Sequence, residues 1–73
     1  GQMRRKLAAA EEKVEKLTTL LARVDEALAA PDAFSRNTQE AARLSAQREE
    51  LVKALAVAEE QWLELAAEAE AAS

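Results

Sequence analysis

Apolar residues fall at Met3, Leu7, Ala10, Val14, Leu17, Leu21, Val24 and Leu28, in alternating steps of four and three. That spacing is the seam of a heptad repeat, in which one stripe of a helix recurs every 3.5 residues and faces a partner helix. The same steps return at Ala41, Leu44, Arg48, Leu51, Leu55, Ala58, Trp62, Leu65, Ala69 and Ala72. Only Arg48 interrupts the second stripe. Both runs are long enough to predict coiled-coil helices rather than isolated amphipathic turns.

Between the runs lies "APDAFSRN", residues 30 to 37, which holds the only proline, Pro31, and the only phenylalanine, Phe34. Pro31 has no N–H and disfavours helical geometry at the residue before it, so the first helix is predicted over about residues 3 to 29. Asn37 can cap a second helix, with Glu40 three residues on as the reciprocal partner. That helix is predicted over about 37 to 72, after a loop at about 30 to 36, a length usual for antiparallel helix pairs. The fold class expected is all-α: a two-helix antiparallel coiled-coil hairpin closed within one chain.

The two stripes can be matched against each other. Setting Leu28 opposite Leu44 places Val24 with Arg48, Leu21 with Leu51, Leu17 with Leu55 and Val14 with Ala58. Next come Ala10 with Trp62, Leu7 with Leu65 and Met3 with Ala69. The largest side chain thus meets a small one, as a seam filled without voids requires. Flanking positions give one attractive pair, Lys6 with Glu68, and one repulsive pair, Glu11 with Glu59; exposed pairs are worth under about 1 kcal/mol each. The layers set the register. Phe34 is expected to fold back over Leu28 and Leu44 and close the end of the seam. Arg48 is expected to lay its stem on Val24 and send its guanidinium to solvent or to Asp25. It could otherwise serve as a register marker or as part of a contact surface.

Seventy-three residues allow one small domain. Residues 1 and 2 are expected to be a flexible leading end, Gly1 a remnant of cloning, and 3–73 the domain, itself a piece of a longer protein. Ala, Leu, Glu, Lys and Arg dominate, which are strong helix formers. There is no cysteine and no histidine, so thiolate metal sites, disulfides and the commonest general base are absent. No apolar run reaches the roughly 18 residues of a membrane span, and no signal peptide is visible. A single glycine at position 1 cannot build a phosphate-binding loop. Ser35, Ser45 and Ser73 have no histidine to activate them. The many carboxylates read as solvated helix faces with partners four residues on, Glu12 with Lys16 and Glu49 with Lys53. No catalytic, cofactor or metal residue is expected; the chain does not read as an enzyme.

Net charge is −4, which opposes a dominant non-specific attraction to nucleic acid. The charge is not even, however. Residues 23 to 48 balance Arg23, Arg36, Arg43 and Arg48 against Asp25, Glu26, Asp32 and Glu40, so the whole acidic excess lies on the legs. Phosphates would be welcome only at this tip and at Arg4, Arg5 and Lys6.

The loop "LAAPDAFSRN" followed by "AARLSAQREELVKALAVAEEQWLEL" resembles the C-terminal domain of Uup-type ABC-F ATPases. Leu28, Pro31, Asp32, Phe34 and Arg36 match that family's loop, and Ala58, Glu59, Trp62 and Leu65 match its second helix. Asn37-Thr38 stands where the family often has Asp-Pro, a change that keeps a capping residue. The resemblance implies an accessory arm of a cytoplasmic ATPase whose ATP and Mg²⁺ are bound by domains outside this chain. It also implies a nucleic-acid partner, DNA or the RNA of ribosomes. The alternative, which the heptads support equally, is a protein-interaction or structural module that packs on the parent's own ABC domains or self-associates. A monomeric hairpin is favoured, with a dimer as the alternative. A second, weaker resemblance is to the C-terminal coiled-coil arm of valyl-tRNA synthetase, which would prefer tRNA but usually has a more basic hairpin and lacks the tryptophan.

Overall fold

A computed structural model describes residues 1–72, with Phe34 and Arg36 described in their backbone alone. The packing expected of Phe34 therefore lies outside the described residues, as does Ser73. Helix α1 runs Gln2–Leu28, a four-residue helix α2 runs Ala33–Arg36, and α3 runs Thr38–Ala72. The molecule is an all-α hairpin in which α1 packs along α3. It measures 54 × 14 × 14 Å, close to the roughly 52 Å that the 35 residues of α3 span at 1.5 Å each.

The first helix begins at Gln2 with only Gly1 before it. At its far end the Ala29 N–H still donates to the Asp25 carbonyl at 2.9 Å. Pro31 then offers no donor, and the ladder stops. Where the sequence marks a loop at about 30 to 36, the chain makes a turn, with Ala33 N–H on the Ala30 carbonyl at 3.0 Å, and then the single helical turn of α2. Asn37 turns the chain out of α2 with φ −149° and ψ 89°. Its Oδ1 accepts the Glu40 N–H at 3.0 Å, the side-chain cap that an N-terminal asparagine provides. The Glu40 carboxylate does not complete a reciprocal box; both its oxygens are held by Arg43. A charge-assisted fork to a guanidinium is stronger than a single bond to a backbone N–H.

The register can be followed down the rod. Near the tip Arg48 of α3 meets Asp25 of α1. Further down, Glu11 and Val14 share a groove with Glu59 and Trp62, and Ala10 shares one with Leu65. At the base Met3 and Leu7 line a depression with Ala69 and Ala72. These groupings run antiparallel, as expected; the grooves set Val14 with Trp62 and Ala10 with Leu65, residues that the sequence places in adjacent layers. Along the seam Leu7, Ala10, Val14, Leu17, Leu21, Val24 and Leu28 are half-buried, as are Leu44, Leu51, Leu55, Trp62 and Leu65. A two-helix layer can do no better, since each helix has a partner on one side only.

Full burial among the described residues is confined to Ala41, 1% exposed, and Ala58, 2% exposed. Ala58 lies on the seam stripe of α3, and Ala41 in the first turns of that helix, on which α2 chiefly packs. Thr18 and Thr19 donate their hydroxyls back to the carbonyls of Val14 and Glu15 at 2.8 and 3.0 Å, a bond that slightly weakens a helix.

Glu40 in the first turn of α3 suits its own helix, but at the base the charges are wrong for their own helix and right for its neighbour. α1 has no acidic residue in its first turn and no basic one in its last, and α3 has no basic residue in its last turn. Instead Arg4, Arg5 and Lys6 lie at the positive end of α1. The hairpin sets that end beside the negative end of α3, so each helix receives from its partner the compensation it lacks, of order 0.3–1 kcal/mol per charge. The Lys6–Glu68 pair expected from the sequence is not closed to ion-pair distance among the described residues, and Lys53 reaches Glu50 at 4.0 Å rather than Glu49.

The full burial of Ala58 generates a test. Ala58→Leu should lower the unfolding free energy by about 1–3 kcal/mol through overpacking. Ala54→Leu, on an exposed face of the same helix, should change it by no more than about 0.5 kcal/mol. Denaturant titration followed by circular dichroism distinguishes them.

Candidate nucleic-acid interface

The seven basic residues that the sequence nominates divide into two groups by position. Arg4, Arg5 and Lys6 are exposed on the first turns of α1, at the base where both termini lie. Arg23, Arg36, Arg43 and Arg48 lie toward the other end, on the last turns of α1, in α2, and on the first turns of α3. The hairpin thus separates them by most of its length and brings the four arginines to one end. Of these, the Arg36 side chain lies outside the described residues. Arg23 is exposed on the outer face of α1, beside Thr19 and Leu20.

Two of the tip arginines already hold carboxylates. Arg43 forks onto Glu40, Nε to Oε2 at 3.0 Å and Nη2 to Oε1 at 2.5 Å. Arg48 sends Nε to Asp25 Oδ1 at 2.5 Å, which is one of the two destinations expected of it. That bond joins α1 to α3 just where the apolar stripe is broken. Both pairs are about half exposed, so each is worth at most about 1 kcal/mol and can be exchanged for a stronger anion. A count of charges along the chain could not show this occupancy; the one-turn spacing of Glu40 and Arg43 could have.

The Glu40–Arg43 fork leaves an electrostatic mark. The hydrogen bonds from Arg43, with its positive charge adding to them, hold the Glu40 carboxyl below the ordinary glutamate range, and Arg43 is pushed up in turn. A carboxyl depressed in the folded state contributes stability at pH above its unfolded value. That contribution is lost as pH falls through the depressed folded value.

Among the described residues no group of three or more Asp and Glu is placed to hold a metal ion. The grooves are shallow and open along the rod. No helix among the described residues is long and apolar enough to cross a membrane.

A carboxyl-detected NMR titration should find the midpoint of Glu40 below the ordinary glutamate range. Arg43→Ala should return it to the ordinary glutamate range.

A family model described as the ABC transporter C-terminal domain matches residues 2–67. Those bounds take in α1, α2 and most of α3. No match is found among curated proteins or among solved structures.

Proposed function

Because the chain belongs to the ABC transporter C-terminal domain family, we propose that it serves an ATP-binding ABC protein as a non-catalytic arm whose tip contacts nucleic acid. The observation that supports this reading is the distribution of charge on a rod 54 Å long. α1 begins and α3 ends at the base, so the tip is the part that reaches furthest from it. The legs carry the acidic excess and repel phosphates, whereas the tip balances its four arginines against four acids. A polyanion would therefore approach end-on. Arg23 and Arg36 would meet phosphate oxygens, and Arg43 would exchange Glu40 for a phosphate. Arg48 is tied to Asp25 and serves the seam first. At the base, Arg4, Arg5 and Lys6 offer a second, smaller phosphate-binding patch.

In this reading ATP and Mg²⁺ are bound by ABC domains outside the chain, in the cytoplasm, and the hairpin works as a monomer. Recognition would rest on backbone phosphates and on shape. Structured RNA, of a ribosome or a tRNA, and duplex DNA remain to be ranked by measurement.

Binding of duplex DNA and of structured RNA across a salt series provides the test. Arg23→Ala, Arg36→Ala and Arg43→Ala together should weaken binding at low salt. They should also flatten the slope of log K against log salt by about 0.7–0.9 for each phosphate no longer neutralised. Unchanged affinity and slope would remove the tip from the mechanism. Absence of any binding at low salt would leave protein docking as the role of the arm.

A further inference from the structure

On one flank of the hairpin, at the level of Trp62, a groove of about 380 Å³ opens between the helices. Glu11, Val14 and Glu15 of α1 line it, with Glu59, Trp62 and Leu63 of α3. Val14 and Trp62 are half-buried and form an apolar floor. Leu63 stands at its edge, 59% exposed, the most exposed of the large apolar side chains among the described residues. It lies one position past the seam, where a heptad ordinarily carries a polar residue.

The rim is made of carboxylates. Glu11 and Glu59 flank the seam from opposite helices, a like-charge arrangement that destabilises rather than holds the hairpin. Among the described residues none of Glu11, Glu15 or Glu59 has a cation within ion-pair distance; Arg43, Arg48 and Lys53 are engaged with Glu40, Asp25 and Glu50. The indole N–H of Trp62 is buried without an acceptor, so packing alone holds the ring. An apolar floor with an exposed leucine, ringed by three uncompensated carboxylates, is complementary to a surface that is apolar at its centre and positive at its edges. Phosphates are excluded from it. The groove is therefore separate from the contact proposed for the tip.

We propose that this groove docks a cationic amphipathic helix of a partner protein, completing a local three-helix bundle. Apolar side chains of the incoming helix, spaced three and four residues apart, would cover Val14, Trp62 and Leu63. Its lysines or arginines would meet Glu11, Glu15 and Glu59. Burial of Leu63 supplies the apolar contact, and the three charges select a basic helix over an acidic one.

Trp62 is the only tryptophan, so its fluorescence reports the groove directly. The probe is a synthetic 14-residue peptide of leucine and lysine, with leucines at helical spacing and no aromatic residue. Titration into the intact chain should shift Trp62 emission to the blue and saturate. Glu11→Gln with Glu59→Gln should weaken binding about three- to tenfold, as the loss of two exposed ion pairs implies. Glu12→Gln with Glu60→Gln, which removes the same net charge from neighbouring outward positions, should change it by less than about twofold. Leu63→Ser should weaken binding while helix content by circular dichroism is retained. Equal weakening by the two charge pairs would reduce the effect to net charge and overturn the proposal. So would equal binding of a leucine–glutamate peptide, or an emission that does not move. A blue shift that grows with chain concentration alone, without peptide, would assign the groove to a second copy and overturn the cationic helix as its occupant.

Discussion

Two helices that cannot bury their apolar stripes alone must bury them against each other. Every other feature of this molecule follows from that requirement. In proteins most helical stability comes from packing an amphipathic face on a partner rather than from intrinsic propensity. Pro31 ends the first helix and Asn37 starts the second, so the partner is supplied by the same chain a few residues later. Once the chain has turned back, the heptad steps can match leucine to leucine along the two stripes. Ala58 and Ala41, on the stripe of α3, are the residues that this packing encloses completely among those described.

The seam also arranges charge. By setting α1 and α3 antiparallel it places the basic start of α1 beside the carbonyl end of α3, turning a mismatch within one helix into a match across two. It gathers four arginines of distant sequence position at one end of a 54 Å rod and leaves the acidic excess along the sides. Two of those arginines are held by Glu40 and Asp25. The Asp25–Arg48 bond lies where the apolar stripe of α3 is broken, so a polar contact joins the helices at the one seam position of α3 that is not apolar. The acidic flank at Glu11, Glu15 and Glu59 and the arginine tip therefore offer two surfaces of opposite preference on one small hairpin.

Much of this was legible in the chain itself. Seam positions could be read because a 3.5-residue period is a local property of the chain, repeated often enough to survive the single break at Arg48. The ends of the long helices could be read because Pro31 and Asn37 act through their own backbone and side-chain chemistry. Helix α2 could not, since four residues leave no period; the only hint was Asp32 ahead of Ala33, a residue type that favours helix starts. Side-chain pairings were harder still. Glu40 had a backbone N–H and a guanidinium within reach and took the guanidinium, and Lys53 had two glutamates and took the nearer in sequence. Such choices among near neighbours turn on fractions of a kcal/mol, which a pattern does not resolve. The Trp62 groove was half legible. The repulsion between Glu11 and Glu59 followed from the register, but Leu63 looked like one more outward position until the helices were in place.

The central claim is that the seam closes within a single chain. It is tested most directly by isotope-filtered NOE measurement on an equal mixture of ¹³C-labelled and unlabelled protein. The account predicts methyl contacts between Leu28 and Leu44 and between Leu7 and Leu65 inside labelled molecules, with none between labelled and unlabelled ones. Cross-peaks between Leu7 of one molecule and Leu65 of another would contradict it.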